Sequence, residues 1–392
     1  MRILFLAPQP YYEERGTLIA IDLLLRALSD RGDRIDLLTY HVGEDRDRPG
    51  LEIIRIKPSP APAAVRPGLS PAKIWCDFFL AGRAFSLARS RGYDLIYAVE
   101  EGAFIAMVLG KLFRIPFVFD MDSSMADQIV ERYPAAKSAS GLLRWLESLP
   151  IRKASAVIPM CDAIADRARP YSTGFVDTLK DVSLLETGEV PDTEEDLRHQ
   201  LDVDGPLAMY IGNLEPYQGI DLLLEAFSMA MESTPKASLV IIGGSDGDIA
   251  AYREKVRSMA LEKSVHLVGR RPVGQLGYFM AQADVLVSPR THGINTPMKI
   301  YSYLDSGVPV VATNLPTHTQ VLTEEVASLA EVDAQSFAAA MSELFRDPER
   351  RRRLASNAKD LVRREHSEEA FRRQVDAIFE RLEQQLQIAV SS

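Results

Sequence analysis

The chain has 392 residues, of which 46% are hydrophobic and 26% charged, and its formal net charge at pH 7 is −10. This length predicts two or three domains, and the composition excludes disordered, collagen-like and disulfide-scaffold proteins. The negative charge argues against nucleic acid as a partner. The two cysteines, Cys76 and Cys161, lie in no CxxC or Cys/His cluster, so we expect reduced thiols in a cytoplasmic protein.

Two further features concern membranes and the position of the charge. No stretch reaches the ~18 uncharged apolar residues that a bilayer span needs, and the start of the chain, MRILFLAPQP, is typical of a strand rather than a signal peptide. Residues 1–185 carry 24 basic and 23 acidic side chains, whereas residues 186–392 carry 21 and 32. The net negative charge therefore belongs to the second half of the chain.

In chain order, the first half alternates short apolar runs with helical patterns. Strands are predicted at 2–7, 35–40, 94–99, 116–120 and 156–159, and helices at 17–31, 71–91, 102–113 and 141–153. This alternation predicts βαβ units and a parallel sheet. The polar, acidic stretch 186–197 then interrupts the pattern and is typical of an interdomain linker.

The alternation resumes after this stretch. Strands are predicted at 207–211, 239–242, 265–268, 285–288 and 309–313, with helices at 219–231, 249–261, 273–283 and 297–306. A last helix, 368–388, has an apolar face and must pack on another element. The predicted fold class is α/β, with two doubly wound sheets facing each other across a cleft. Ligands of such sheets bind beyond the carboxyl ends of the strands.

The strongest functional signal is the segment SPRTHGINTPMKIYSYLDSGVPVVATN at 288–314. Thr296 followed by Pro297 is typical of an N-cap and a first helical position, and the free backbone amides of a helix start can bind an anion. Arg290 and Lys299 flank this start and would add charge-assisted contacts. The alternative is an ordinary capped helix with both cations on the surface.

Two glycine-containing turns accompany this segment. The run YIGNLEPYQGIDLLLEAF at 210–227 places Gly212 after one strand and Gly219 before a helix, and Gly243 and Gly244 follow the next strand. Each turn brings backbone amides to the expected ligand edge. Plain βα turns have the same appearance, and that alternative stays open.

Together these segments resemble the retaining glycosyltransferases of family 4, which have the GT-B architecture of two Rossmann-like domains. The loop with Gly16, the runs 265–290 and 299–313 and the C-terminal helix fall in the family's order, so the resemblance covers nearly the whole chain. It implies a nucleotide-diphosphate sugar as donor substrate, no further cofactor, and an acceptor on the first domain. It also implies an acceptor-side domain at 1–190, a nucleotide-sugar-binding domain at 191–366, and a helix at 367–392 that packs back across both.

The sequence departs from the family pattern at its polar contacts. The family's diphosphate-binding Arg and Lys correspond here to Asn213 and Gln218, and its two glutamates correspond to Ile294 and Ser302. The family's usual histidine after an N-domain strand corresponds to Asp122. We expect a divergent branch that holds the diphosphate with Arg290, Lys299 and helix amides. Loss of activity is the alternative.

The chemistry of glycosyl transfer suggests roles for these residues. The sugar gains positive charge while a negative diphosphate leaves, so preorganised donors around the leaving group are the main catalytic device. The resemblance implies a retaining, metal-independent, hexosyltransferase-like reaction. The predicted catalytic residues are Asp122, Lys299 and Arg290; the predicted donor-binding residues are Gly16, Gly212, Asn213, Gln218, Gly243, Gly244, Arg270, Gly293, Asn295, Thr296, Pro297 and Ser302.

Asp122 is the candidate that orients the sugar or relays the acceptor proton, and the alternative role is an N-cap for the following helix. Glu101 and Glu14 are weaker acid/base candidates. Asp120-x-Asp122 also suits Mn²⁺ or Mg²⁺ in single-sheet glycosyltransferases, but two paired sheets argue against that class, so no metal is predicted. Of the six histidines, only His292 and His318 fall near the predicted site, where packing or hydrogen bonding is the expected role.

The segment 71–91 combines Trp and Phe side chains with Lys73, Arg83, Arg89 and Arg91. This combination suits peripheral contact with a membrane, at its inner face, and a lipid-linked acceptor. The alternative is a core helix whose cations reach the surface along their apolar stems. The acceptor is accordingly expected to be a glycan, a lipid or a small molecule.

Two other functions stay open alongside the transferase. A non-catalytic partner subunit would keep the fold without the cations and acids of the family. A nucleotide-sugar epimerase would share the fold as an enzyme. A phosphorylase would need a cofactor lysine site, which the sequence does not show.

Overall fold

A computed structural model describes residues 1–13, 16–63, 65, 70–185, 193 and 195–391. The chain forms two compact units, Met1–Lys180 with Arg372–Ser392, and Asp181–Phe371. The predicted boundary at 190/191 lies outside the described residues, and the three predicted domain ranges remain predictions. None of the helices in the described part of the chain is both long enough and apolar enough to cross a membrane.

The first unit is built on a seven-stranded parallel sheet with the order β3-β2-β1-β4-β5-β6-β7. The central strand β1 is buried almost throughout, as expected for a parallel strand covered on both faces. The strands are β1 (Arg2–Leu6), β2 (Arg34–Thr39), β3 (Leu51–Arg55), β4 (Leu95–Val99), β5 (Phe117–Met121), β6 (Ala156–Pro159) and β7 (Phe175–Val176). The helices are α1 (Gly16–Asp30), α2 (Pro71–Ser90), α3 (Gly102–Phe113), α4 (Met125–Arg132), α5 (Ser140–Lys153) and α6 (Asp162–Ala168), with a 3₁₀ turn at Pro134–Ala139.

The second unit is built on a six-stranded parallel sheet with the order β10-β9-β8-β11-β12-β13. The strands are β8 (Leu207–Ile211), β9 (Ser238–Ile242), β10 (Val265–Gly269), β11 (Val285–Ser288), β12 (Val310–Thr313) and β13 (Ser328–Ala330). The helices are α7 (Leu197–Gln200), α8 (Ile220–Ser233), α9 (Asp246–Ser258), α10 (Leu276–Met280), α11 (Lys299–Asp305), α12 (Pro316–Thr319), α13 (Ala334–Arg346) and α14 (Pro348–Leu361). The predicted α/β class with two doubly wound parallel sheets is confirmed.

The last helix, α15 (Glu368–Ser391), contributes its residues from Arg372 onward to the first unit. Its Phe379 ring stacks on Tyr97 of β4 with 6.1 Å between ring centroids. Arg31 donates a hydrogen bond of 2.6 Å to Glu383 of the same helix. The apolar face of α15 therefore completes the core of this unit.

Three strands and several helices of the structure were not predicted from the sequence. The strands β7 and β13 have only two and three residues, and β3, with five, has a single buried residue, Ile54, so each carries too weak an apolar pattern to stand out. The helices that were not predicted are α6, α7, α12, α13 and α14. For α13, the buried residues Phe337, Met341 and Leu344 have helical spacing, which is the signal that identifies it.

Candidate functional site

The strand order of each unit marks where a ligand is expected. In a doubly wound sheet, ligands bind beyond the carboxyl ends of the strands, where the strand order reverses. This switch point lies between β8 and β11 in the second unit, and between β1 and β4 in the first. The loops 212–219 and 289–298 therefore meet at the switch point of the second unit.

Lys299 lies at this switch point, against the loop that follows β8. Its Nζ donates a hydrogen bond of 3.1 Å to Gln218 Oε1 and lies 4.0 Å from the centroid of the Tyr210 ring. A Cβ added to Gly212 would come within 3.2 Å of the same Nζ, so the glycine allows this close approach. The structure thus brings Gly212, Gln218 and Lys299 together.

Arg290 is the second cation, and it is 6% exposed. Its guanidinium donates hydrogen bonds of 2.9 Å to the Asn295 carbonyl and to Thr317 Oγ1, and lies 5.0 Å from the Tyr217 ring centroid. Gly293 has a φ of +119°, and a Cβ there would lie 2.9 Å from Arg290 Nη2. The loop can close around the guanidinium only because residue 293 is glycine. The alternative of a cation on the surface is therefore wrong for Arg290.

The charge of Arg290 influences the protonation of Lys299. Burial lowers the pKa of Lys299 well below its ordinary value, and the positive charge of Arg290 lowers this pKa further. Within the described residues, Lys299 has no carboxylate partner at ion-pair distance. A bound anion would favour the protonated form of Lys299 and would be attracted by both side chains.

The glycine turns after β8 and β9 lie next to each other. Gly243 N donates to the Gly269 carbonyl at 2.9 Å, and Arg270 Nε donates to the Gly244 carbonyl at 2.9 Å. Gly243 has a φ of +123°, and a Cβ there would come within 1.9 Å of the Gly212 carbonyl oxygen. This arrangement collects Gly212, Gly243, Gly244 and Arg270 at the carboxyl edge of the sheet.

The predicted helix start at Thr296 and Pro297 is wrong. Helix α11 begins at Lys299, and its N-cap, Met298, makes no side-chain cap hydrogen bond. The Pro297 carbonyl accepts from Ile300 N at 2.9 Å, which is a tighter turn than an α-helix makes. The Thr296 hydroxyl is buried and has no hydrogen-bond partner among the described residues. The predicted Thr296 cap is therefore absent, and the start of α11 lies at Lys299 instead.

Ser302 and Asn213 occupy positions where the family has charged residues. The Ser302 hydroxyl is buried and accepts a hydrogen bond of 3.1 Å from Leu184 N, so it holds the chain segment 181–185. Asn213 is exposed, and its carbonyl accepts a hydrogen bond of 2.7 Å from the Tyr210 hydroxyl. Their predicted role in donor binding remains a prediction.

In the first unit, two carboxylates follow the strands beside the switch point. Asp122 comes directly after β5 and is hydrogen-bonded by Thr17, in the first turn of α1. Glu100 comes directly after β4 with a φ of +50°, and its backbone N donates to the Asp120 carbonyl at 3.0 Å. Ser123 Oγ donates to Glu100 Oε1 at 2.9 Å. These contacts bring the two carboxylates to one end of the sheet.

Both carboxylates hold protons more tightly than usual. Burial raises the pKa of Asp122 to about 6. Burial raises the pKa of Glu100 well above its ordinary value, and the negative charges of Asp122 and Glu101 raise it further. An ionised Asp122 therefore favours the protonated form of Glu100. The sequence analysis missed Glu100, whose signal is its place directly after the strand at the point where the strand order reverses.

The other candidates of the first unit have different positions. Asp122 is not an N-cap, because α4 begins at Met125 and its N-cap is Ser124, whose side chain accepts from Asp127 N. Glu101 forms an ion pair with Lys73. Gly16 is the exposed first residue of α1. Glu14 lies outside the described residues.

From the sequence, no metal site is predicted, and His292 and His318 are expected to pack or to form hydrogen bonds. In the described ranges, no group of three His, Cys, Asp or Glu side chains is arranged to hold a metal ion. His318 is fully buried, with Nε2 2.9 Å from Ser288 Oγ and Nδ1 2.9 Å from the Thr313 carbonyl. Burial lowers the pKa of His318 to about 3, so this side chain is neutral. Its expected hydrogen-bonding role is confirmed, and the exposed His292 packs edge-on against Tyr217 at 5.9 Å.

Two family descriptions match this chain. Residues 192–361 match the family described as Glycosyl transferases group 1, and residues 15–175 match the Glycosyl transferase 4-like domain. The chain belongs to the family 4 type of GT-B glycosyltransferases. The resemblance inferred from the motifs is confirmed. The matches do not favour an epimerase or a non-catalytic subunit.

The curated proteins that are similar to this chain have diverse names. The D-inositol 3-phosphate glycosyltransferase of Corynebacterium efficiens is 23% identical over 359 residues, which cover 86% of this chain and 83% of that protein. The sulfoquinovosyl transferase SQD2 of Arabidopsis thaliana is 23% identical over 337 residues, which cover 82% of this chain and 61% of that protein. Several relatives are matched over about half of their length, from 41% to 61%.

Solved structures show the same fold. The crystal structure of Anabaena Alr3699/HepE in complex with UDP has a TM-score of 0.74 and 18% sequence identity, and the alignment covers 97% of this chain and 100% of that one. At this identity the likeness concerns the fold of this chain. The roles of individual side chains rest on the geometry described above.

Proposed function

We propose that this glycosyltransferase moves a sugar from a nucleotide-diphosphate sugar to a glycan, lipid or small-molecule acceptor, with retention of configuration. The observation that carries this proposal is the pair of cations, Arg290 and Lys299, at the switch point of the second sheet. A related fold has been solved with UDP and with UDP-glucose, in Anabaena Alr3699/HepE. A phosphatidyl-myo-inositol mannosyltransferase of Mycobacterium leprae is among the relatives, which supports a lipid among the acceptor classes.

In this proposal the cations act on the leaving group. The bond between the anomeric carbon and the phosphate oxygen breaks, and negative charge grows on the departing diphosphate. Lys299 and Arg290 stabilise this charge more strongly in the transition state than in the bound donor, which accelerates the reaction. Because they supply positive charge from the protein, we propose a reaction without a bound metal ion and without a further cofactor.

Asp122 acts on the acceptor in the same proposal. The acceptor oxygen forms the new bond to the anomeric carbon, and its proton passes to Asp122 or to the departing phosphate oxygen. A general base works best when its pKa lies near the working pH, and burial raises the pKa of Asp122 to about 6. Glu100 stays neutral beside it, so the pair carries a single negative charge.

The first test is binding of the donor. The purified chain is incubated with UDP-, GDP-, ADP- and TDP-sugars, and thermal stabilisation and release of free nucleotide are measured. At least one donor should raise the melting temperature and be slowly hydrolysed. The variant Lys299→Ala should reduce the stabilisation, whereas Lys263→Ala, an exposed lysine of the same unit, should not. Absence of stabilisation by every nucleotide and nucleotide sugar would refute the proposal.

A further inference from the structure

The exposed large hydrophobic side chains of this chain are concentrated on three helices of the first unit. Nine lie there: Ile74, Trp75, Phe78 and Phe85 on α2, Val108 and Leu112 on α3, and Leu142, Trp145 and Leu146 on α5; Tyr133 and Tyr171 of the same unit are exposed outside these helices. In the described part of the second unit, only Met229 and Val332 are comparably exposed. We call the outward side chains of α2, α3 and α5 the three-helix face. Such a concentration marks an interaction surface.

The three helices are neighbours on one side of the sheet. The connections β3 to β4, β4 to β5 and β5 to β6 all advance in the same direction along the strand order. Because such crossovers are right-handed, α2, α3 and α5 cover the same side, whereas α1, which connects β1 to β2 in the opposite direction, covers the other. Helix α2 packs on α3, and α3 packs on α5. Phe85 and Phe113 join the first two helices with 5.3 Å between ring centroids.

The outward charge of the three-helix face is entirely positive. Its two acidic residues are turned inward: Asp77 accepts a hydrogen bond from the Tyr40 hydroxyl, and Glu147 is buried and accepts one of 3.0 Å from Ser124 Oγ. The exposed charged residues of the three helices are Arg83, Arg89, Lys111, Arg144, Arg152 and Lys153. This positive surface belongs to a protein whose net charge is −10.

We propose that the three-helix face docks this enzyme on an anionic lipid bilayer. Tryptophan and phenylalanine partition into the interface between headgroups and acyl chains, and Lys and Arg are attracted by anionic headgroups. A second copy of the chain is a poorer occupant, because it would bring two positive surfaces together. The proposal goes beyond the transfer reaction, and it does not depend on which donor the enzyme uses.

Both tryptophans of the chain, Trp75 and Trp145, lie on this face and are 38% and 52% exposed. Intrinsic tryptophan fluorescence of the unmodified protein therefore reports on this face alone. With vesicles that contain phosphatidylglycerol, the emission should shift to the blue and should be quenched by brominated lipid. Phosphatidylcholine vesicles should have a much smaller effect, and added salt should weaken the response. An emission spectrum unchanged by anionic vesicles would overturn the proposal.

Substitutions that keep both tryptophans test the surface by vesicle flotation. The triple variant Phe78→Ser, Leu112→Ser, Leu146→Ser should lower vesicle affinity at least tenfold. The triple variant Arg83→Gln, Arg89→Gln, Lys111→Gln should lower it by roughly fivefold per cation at low salt. The matched controls are Met229→Ser and Arg257→Gln, exposed residues of the second unit, and these should bind like the parent.

Two measurements separate this proposal from the transferase proposal and from misfolding. Thermal unfolding and nucleotide-induced stabilisation, measured without vesicles, should be the same in every variant as in the parent. Vesicle binding that survives both triple variants would refute the membrane role while leaving the transfer reaction intact. A concentration-dependent dimer that these variants abolish would also refute it, because the face would then be a self-association interface.

Discussion

The two sheets share one topology and carry opposite charge where their strand orders reverse. In the first unit the residues after β4 and β5 are the carboxylates Glu100 and Asp122. In the second unit the loop after β11 and the start of α11 supply the cations Arg290 and Lys299. The contrast runs against the charge of the surroundings, because the second half of the chain has 21 basic and 32 acidic residues. A few residues that follow the strands therefore decide the chemistry of each switch point, and the charge of the domain does not predict it.

Both switch points also hold like charges close together, which is unfavourable for the folded protein without a ligand. Burial and the charge of Arg290 lower the pKa of Lys299, and burial and the charge of Asp122 raise the pKa of Glu100. Groups whose pKa is moved by burial and by neighbours of the same sign are typical of functional sites. We therefore expect that substitutions at either switch point can impair function without lowering stability. Those in the first unit should affect transfer to the acceptor, and those in the second unit should affect nucleotide binding.

The largest effect is expected for Asp122→Asn. If Asp122 takes or relays the acceptor proton, the rate of transfer should fall by about 10²–10⁴-fold. Nucleotide binding, which we assign to the second unit, should be unchanged. Steady-state transfer and thermal shift with the nucleotide would measure both. The control is Asp166→Asn, which changes an exposed aspartate of the same unit, and full activity in Asp122→Asn would exclude a role in the reaction.

The next largest effect is expected for Lys299→Met. Loss of a charged hydrogen bond of ~1.5–3 kcal/mol should weaken nucleotide affinity by roughly 10- to 100-fold in calorimetric titration. Without ligand, the variant should be as stable as the parent or more stable. The folded pKa of Lys299 lies below its unfolded value, so the folded state binds fewer protons and stability rises with pH. That slope should disappear in Lys299→Met, and a variant that binds nucleotide like the parent would contradict the assigned role.

The sequence predicted the fold well because a buried parallel sheet leaves a strong periodic signal. Each central strand is a continuous apolar run, and the helices between the strands have apolar residues at helical spacing. The strands β3, β7 and β13 were missed, because each has at most two buried residues. The predicted start of α11 failed for another reason. Thr296 and Pro297 satisfy the local rules of a helix start, but the chain makes a tighter turn there and the hydroxyl is buried.

The site was predictable in part. The position of Arg290 and Lys299 after a strand identified them as cations of the ligand edge, and the structure places both there. The effect of Arg290 on the pKa of Lys299 was not predictable, because it depends on how the loop between β11 and α11 places the two side chains. Glu100 could not be separated from Glu101 by sequence alone, since both follow β4. The backbone turn at Glu100 sends one carboxylate to Ser123, whereas Glu101 pairs with Lys73.

A smaller effect concerns the pH dependence of the transfer rate, which tests the carboxylates at the switch point of the first unit. Because burial raises the pKa of Asp122 to about 6, transfer should fall about tenfold per pH unit below that value, as the base becomes protonated. The variant Glu100→Gln mimics a neutral Glu100 and should leave this midpoint in place. A midpoint about one unit lower in Glu100→Gln would show instead that Glu100 is ionised in the parent. The rate of transfer measured from pH 4.5 to 8 decides between the two.

The same group predicts the pH dependence of stability. The folded pKa of Asp122 lies above its unfolded value of 3.8, so between about pH 4 and pH 6 the folded state binds more protons than the unfolded state. The contribution of Asp122 to the free energy of unfolding therefore decreases as pH rises through this window. Asp122→Asn should flatten that part of the curve in chemical denaturation. An unchanged slope would place the Asp122 pKa at its ordinary value.

The smallest effect is expected for Thr296→Val, at the cationic switch point. The buried Thr296 hydroxyl has no hydrogen-bond partner in the described ranges, so replacing it with a methyl group of similar size should stabilise the protein by about 1 kcal/mol. The matched control is Thr313→Val, because the buried Thr313 hydroxyl donates a hydrogen bond of 2.6 Å to the Arg290 carbonyl. The variant Thr313→Val should therefore be destabilised by about 1 kcal/mol. If Thr296 meets the donor, Thr296→Val will also bind nucleotide several-fold more weakly while its melting temperature rises. A destabilised Thr296→Val would show that the hydroxyl serves the fold, and the site would then consist of Arg290, Lys299 and the glycine turns.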